Sequence, residues 1–210
     1  MSTEIERLVE EARGGDPRAL EDLFRFYQPR LVRMIELRLD ASLRRRIDPT
    51  DVVQESWLEV VRRFPTWSTD PSVPFHVWLR LTTAQSLALM QRKHFAAHMR
   101  DVQREEALPE TRANVSAMNV ADAFLASATS PSQAARREEV RTRVLAALEE
   151  LGEIDREIVA LRQFEDLSNE EAAAELAISP DAASKRFVRA LLRLKPALEA
   201  LDPAATWDRR

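Results

Sequence analysis

The chain has 210 residues, 31 of them basic and 35 acidic for a net charge of −4, with 45% hydrophobic residues and no cysteine. That length suits one or two small domains, and without cysteine there is neither a disulfide nor a thiolate metal site, in keeping with a reducing compartment. No segment has the apolar length of a membrane span, and MSTEIERLVEEARGG carries no signal-peptide pattern, so a soluble cytoplasmic protein is expected.

Apolar residues recur every three or four positions through most of the chain, and glycine is rare, which predicts an all-α fold. A first helix spans about Thr3 to Arg13 and stops at Gly14-Gly15. Asp16-Pro17 restarts helix as cap and first position, with Leu20, Leu23, Phe24, Tyr27, Leu31 and Ile35 on its apolar face. Asp48-Pro49 repeats that start after Arg44-Arg45-Arg46. In PTDVVQESWLEVVRRF, Val53, Trp57, Val60 and Phe64 form a buried stripe, while Asp51, Glu55 and Glu59 stack on an exposed face. The Pro- and Ser-rich PTWSTDPSVP is expected to be a loop, and a long helix from Phe75 to about Arg104 follows. Residues 105–132, with Pro109 and Ser130-Pro131-Ser132, break the pattern and read as a flexible linker, with a transient helix near Val120 to Ala126. Helix resumes from Gln133 to about Leu151 and again from Asp155 to Phe164.

The most informative segment is SNEEAAAELAISPDAASKRFVRALLRLK at residues 168–195. Ser168 and Glu171 form a capping box, Ala177-Ile178-Ser179 a turn, and Ser179-Pro180 the start of a second helix. On that helix Ala183, Phe187, Ala190 and Leu194 face a core, while Lys185, Arg186, Arg189 and Arg193 share the other side with Ser184 beside them. This is the pattern of a helix-turn-helix whose second helix lies in the DNA major groove. Lys185 to Lys195 holds five cations and no acid, and Arg80, Arg92, Lys93, Arg100 and Arg104 make a second basic stretch. Two basic patches on an acidic body suggest a protein that binds DNA weakly alone and needs a partner.

Three segments in order, DPTDVVQESWLEVVRRF, PFHVWLRLTTAQSLALMQRKH and DREIVALRQFEDLSNEEAAAELAISPDAASKRFVRALLRLK, resemble the extracytoplasmic-function (ECF) class of sigma-70 family sigma factors. The resemblance covers nearly everything except the linker and tail. It implies two helical domains: residues 1–104 (region 2), which dock on the polymerase clamp and open the −10 element, and 133–201 (region 4), which bind the flap and read the −35 element. A tail, 202–210, follows. It implies RNA polymerase core and promoter DNA as partners, an anti-sigma factor as a frequent regulator, and no catalytic activity or cofactor; a kinase acting at Thr50 is a separate expectation from that residue's position. Carried over by position, Asp51, Gln54 and Glu55, with Glu59 on the same helix, match the polymerase-docking face. Trp67, Gln85, Arg92 and Lys93 match −10 DNA positions, and Ser184, Lys185, Arg186, Arg189 and Arg193 match −35 positions. Trp67 offers either a stacking platform for a flipped base or a core residue; Phe75 and Trp78 match packing positions. Gln85 departs from a frequent Asn, Ala177 from a frequent Gly, and the loop around Trp67 is slightly longer than usual. Thr50, at a helix N-terminus, is a candidate phosphorylation site.

Other readings fit less of the chain. A stand-alone helix-turn-helix regulator leaves the DPTDVVQES helix unexplained. His94 and His98, four apart, could pair on a metal, but a third ligand is not evident.

Overall fold

The computed structural model describes residues 2–40, 42–44, 46–71, 73–101, 114–127 and 134–199. Among these every regular element is helical, and the chain divides into two compact units, residues 1–113 and 114–210.

The first unit holds α1 (Ser2–Arg13), α2 (Pro17–Arg38), α3 (Pro49–Thr69) and α4 (Phe75–Asp101). Gly15 ends α1 in the left-handed region at φ 94°, where a Cβ would be strained, and Asp16 N–H donates to Glu11 O at 3.1 Å. Asp16 and Asp48 cap α2 and α3 as expected: each carboxylate accepts from the backbone two residues on, and proline takes the first helical position. Leu23, Leu31, Met34 and Ile35 of α2 pack with Val53, Val60 and Phe64 of α3 and Phe75, Leu79 and Leu87 of α4.

The structure differs from the expected loop at residues 65–74. Helix α3 runs through Pro65 to Thr69, so Trp67 is helical and 6% exposed. Proline forfeits one hydrogen bond to the preceding turn, yet the buried stripe Val53, Val60, Phe64 carries straight on to Trp67. Burial of that ring against Phe64, Phe75 and Trp78, at centroid distances of 5.4–5.7 Å, outweighs the lost bond. The Ser68 and Thr69 hydroxyls both donate to Pro65 O at 2.9 Å and tighten the last turn.

The second unit holds α5 (Ala117–Ser127), α6 (Ala134–Glu149), α7 (Glu153–Gln163), α8 (Asn169–Leu176) and α9 (Pro180–Leu198). Its first helix falls within the expected linker 105–132. Val120, Ala121, Phe124 and Leu125 of α5 are buried, Phe124 meets Phe164 edge-on at 4.8 Å, and Arg141 of α6 pairs with Asp122 at 2.8 Å. Residues 114–127 thus belong to the packed second unit; 105–113 and 128–132, like Trp207, lie outside the described residues. Ala172, Ala173, Ala183 and Ala190 are fully buried or nearly so, and these small side chains let α8 and α9 approach closely.

Candidate functional site

Three surfaces carry the positions singled out in the sequence. The first is the outward face of α3. Asp51, Gln54 and Glu55 are exposed, one helical turn apart. Leu58 lies one turn beyond Gln54 and Glu55 and is 71% exposed, with the exposed Val61 and Arg62 one turn further on. The sequence reading missed Leu58, although it lies out of phase with the buried Val53, Val60, Phe64 stripe and so had to point outward. Glu59 sits at the edge of this face, not at its centre. It accepts hydrogen bonds from Arg62 at 2.6 Å and from Arg63 at 3.0 Å. The Arg62 hydrogen bond, reinforced by the charges of both arginines, holds the Glu59 carboxyl below its usual range. Thr50 is half-buried, its N–H already donating to Asp48 at 2.7 Å. A phosphate there would stand between Asp48 and Asp51, and like-charge repulsion offsets the helix-dipole gain.

The second surface lies on α4. Gln85, Leu89 and Arg92 fall at i, i+4 and i+7 on one exposed face, flanked by exposed Lys93 and His94. Arg63 of α3 donates to Gln85 Oε1 at 2.5 Å and to Glu59, so one guanidinium joins a docking candidate to a DNA-facing candidate. Arg63 was not singled out in the sequence; its contact spans 22 positions and has no local signature. The expected basic stretch shortens at one end, because Arg80 is 7% exposed and lies inside the unit. The side chains of Arg100, Arg104 and His98 lie outside the described residues. Trp67 packs at the start of α4: its Nε1–H donates to Val73 O at 3.0 Å and its ring stacks on Trp78 at 5.4 Å. Of the two sequence readings of Trp67, burial favours the core: Trp78 stacks on its ring, and Phe64 and Phe75 pack against it at an angle.

The third surface is α9. The Ser168–Glu171 capping box is present in both directions, at 3.2 and 2.7 Å, and Ser179 accepts from Ala182 N–H at 3.2 Å. Ala177 closes α8 in the left-handed region at φ 54°, ψ 42°. Ala183, Phe187, Ala190 and Leu194 are buried as the spacing predicts, while Ser184, Lys185, Arg189 and Arg193 are exposed. The cationic face also carries Val188 and Leu192, 48% and 62% exposed. Cross-helix contacts set the orientation of α9. Arg162 of α7 lies 4.7 Å from the Phe187 ring centre and donates to Asn169 at 3.1 Å, and Asn169 donates to Pro180 O at 2.8 Å. Arg186 is only half-exposed, because its Nη1 donates to Asp155 of α7 at 2.7 Å.

Among the described residues, no group of three or more His, Asp or Glu is placed to hold a metal ion, and no helix is long and apolar enough to cross a membrane. A capped helix-turn-helix with one cationic face, in a chain whose other unit carries an exposed acidic face, fits a helical DNA-binding protein that works with a protein partner. Comparison with known proteins agrees. The family model described as ECF sigma factor matches residues 2–199, and the chain belongs to that family. It is 31% identical over 196 residues to the ECF RNA polymerase sigma factor SigD of Mycobacterium bovis, covering 93% of this chain and 84% of the relative. The same values hold for SigD of Mycobacterium tuberculosis. Among solved structures, CnrH in complex with the cytosolic domain of CnrY matches with a TM-score of 0.54 at 23% identity, covering 94% of this chain and 98% of CnrH, a likeness of fold. The protein is therefore an RNA polymerase sigma factor of the ECF class, which directs core polymerase to promoters.

Proposed function

We propose that the two units divide promoter recognition. The first docks on core polymerase through Asp51, Gln54 and Glu55 beside Leu58, and follows −10 DNA along Gln85, Arg92 and Lys93. The second reads −35 DNA with Ser184, Lys185 and Arg186 and grips phosphate with Arg189 and Arg193. Trp67 and Glu59 support the first unit from within, Trp67 by packing and Glu59 by holding Arg63 against Gln85. The protein acts in the cytoplasm, where polymerase and promoter are, and has no catalytic chemistry of its own. CnrH was solved with the cytosolic domain of CnrY, and a protein that covers a docking face is the corresponding proposal for silencing this chain.

The observation that carries this reading is the sorting of charge. Exposed carboxylates precede the exposed Leu58 on α3, whereas α9 presents exposed cations. Carboxylates beside an exposed apolar residue suit a basic protein surface, and a cationic helix suits DNA. Replacing Asp51 and Glu55 with Lys should weaken core-polymerase binding at least tenfold, or about 1.4 kcal/mol, and abolish run-off transcription while circular dichroism stays unchanged. Unchanged core affinity would show that this face is merely solvated.

A further inference from the structure

Arg186 differs from its neighbours on α9. Lys185 pairs with Asp181 and Lys195 with Glu199, each four residues away along the chain. Arg186 pairs instead with Asp155, 31 positions earlier on α7. The Asp155 side chain is 16% exposed and that of Arg186 35%, so the pair is sheltered while part of the Arg186 side chain remains exposed. Two further cross-links, Arg162 to Asn169 and Asn169 to Pro180 O, hold α7, α8 and the start of α9 in one arrangement. The carboxylate that fixes Arg186 therefore stands on a well-anchored support.

We propose that Asp155 is a positioning residue for promoter reading, and that it makes Arg186 selective at the expense of non-specific attraction. This rests on the reading of α9 as the −35 helix. Two physical effects combine. A guanidinium donates in a fixed planar fork, and pairing with a guanine edge requires that fork in one orientation, whereas a phosphate accepts it in many. Asp155 engages Nη1 and leaves the rest of the fork in a set direction. The same carboxylate neutralises the cation locally, so Arg186 contributes little to the counterion release that drives sequence-independent binding. A mobile, uncompensated arginine at this position would grip phosphate and lose its preference among bases.

The test uses holoenzyme reconstituted with core polymerase, a panel of −35 substitutions and several salt concentrations. Asp155→Ala should relax preference at the same one or two positions as Arg186→Ala, by roughly threefold to tenfold, within the range of one arginine–base contact. It should also tighten binding to non-cognate DNA and steepen the log–log salt dependence by up to about 0.9, the value of one added phosphate contact. Asp155→Asn keeps the acceptor without the charge; it should retain base preference within about twofold while the salt dependence steepens, which a merely structural tie would not produce. Arg193→Ala should lower affinity for every sequence alike. A changed promoter profile for Arg186→Ala with an unchanged one for Asp155→Ala and Asp155→Asn overturns the role of Asp155. If Asp155→Ala does not fold, loss of base preference in a folded Asp155→Asn overturns it equally. A flat profile for Arg186→Ala shows instead that the −35 reading by this residue is wrong.

Discussion

The two units solve the same problem, holding a functional helix face steady, with different materials. In the first, long helices of 21 to 27 residues are fastened by large rings: Phe64, Trp67, Phe75 and Trp78 touch one another at centroid distances of 5.4–6.2 Å. In the second, α8 has eight residues and is joined to α9 through buried alanines and the hydrogen bond from Asn169 to Pro180 O. An isolated helix of that length is unstable in water, so its geometry depends on polar cross-links far more than that of α3 or α4 does. The contrast shows in how each unit fixes its candidate DNA-reading side chain. Gln85 lies over the aromatic unit and is held by Arg63; Arg186 lies over the small-residue unit and is held by Asp155. In both, a polar partner from a neighbouring helix sets the direction of a side chain at the surface.

The largest effects should come from the cores. Trp67→Ala removes a ring that is 6% exposed and a hydrogen bond to Val73 O, and should destabilise the first unit by about 4–5 kcal/mol. Chemical denaturation checks this. A nearly unchanged stability with impaired −10 opening would instead make Trp67 a base-stacking residue. Phe124→Ala, in the helix that packs into the second unit, should cost about 3–4 kcal/mol there. If residues 117–127 served only as a tether, the same substitution would leave the unfolding transition where it is.

Those two substitutions fall where sequence and structure part, and the reasons are local. Helix starts were legible because caps are short-range signals: α2, α3 and α9 begin at Asp-Pro or Ser-Pro, and α8 at the Ser168–Glu171 capping box. Pro65 was read as a stop, yet Trp67 continues the spacing of Val60 and Phe64, and that spacing was the better guide. In α5 the pairs Val120-Ala121 and Phe124-Leu125, four apart, mark one apolar face; Pro109 and Ser130-Pro131-Ser132 on either side obscured it. The cationic face of α9 was visible from periodicity alone. Arg63 and Asp155 were not, because contacts across 22 and 31 positions leave no trace in local pattern. Leu58 was visible but unread: it stands off the buried stripe and so had to be exposed.

A smaller effect tests the Arg63–Gln85 contact. Arginine can only donate, so Gln85 must turn its carbonyl oxygen to Arg63 and its NH2 group outward. On the proposed −10 reading, that NH2 group would meet an acceptor on a base. Arg63→Ala frees the amide to rotate and present either group, and should erase about 1–2 kcal/mol of discrimination at one −10 position. Gln85→Ala should relax the same position, and the double variant should add nothing further. Full additivity in that cycle, read from open-complex yields on a −10 panel, would separate the two residues.

The smallest effect concerns how each unit ends a helix. Both α1 and α8 close in the left-handed region, the first with Gly15 at φ 94° and the second with Ala177 at φ 54°. An L-residue with a Cβ is disfavoured there by roughly 1–2 kcal/mol, a strain glycine does not carry. Glycine loses more backbone freedom on folding, which returns roughly half of that gain. Ala177 is exposed, so removing its methyl group empties no space in the core. Ala177→Gly should therefore stabilise the second unit by about 0.5–1 kcal/mol and leave the first unchanged, as thermal denaturation would register. The −35 profile should stay the same, because Ala177 N–H and Ile178 N–H keep their bonds to Ala174 O and Ala173 O. A destabilised Ala177→Gly variant would mean that chain entropy outweighs backbone strain at this turn, and that the alanine rigidifies a motif whose scaffold helix is only eight residues long.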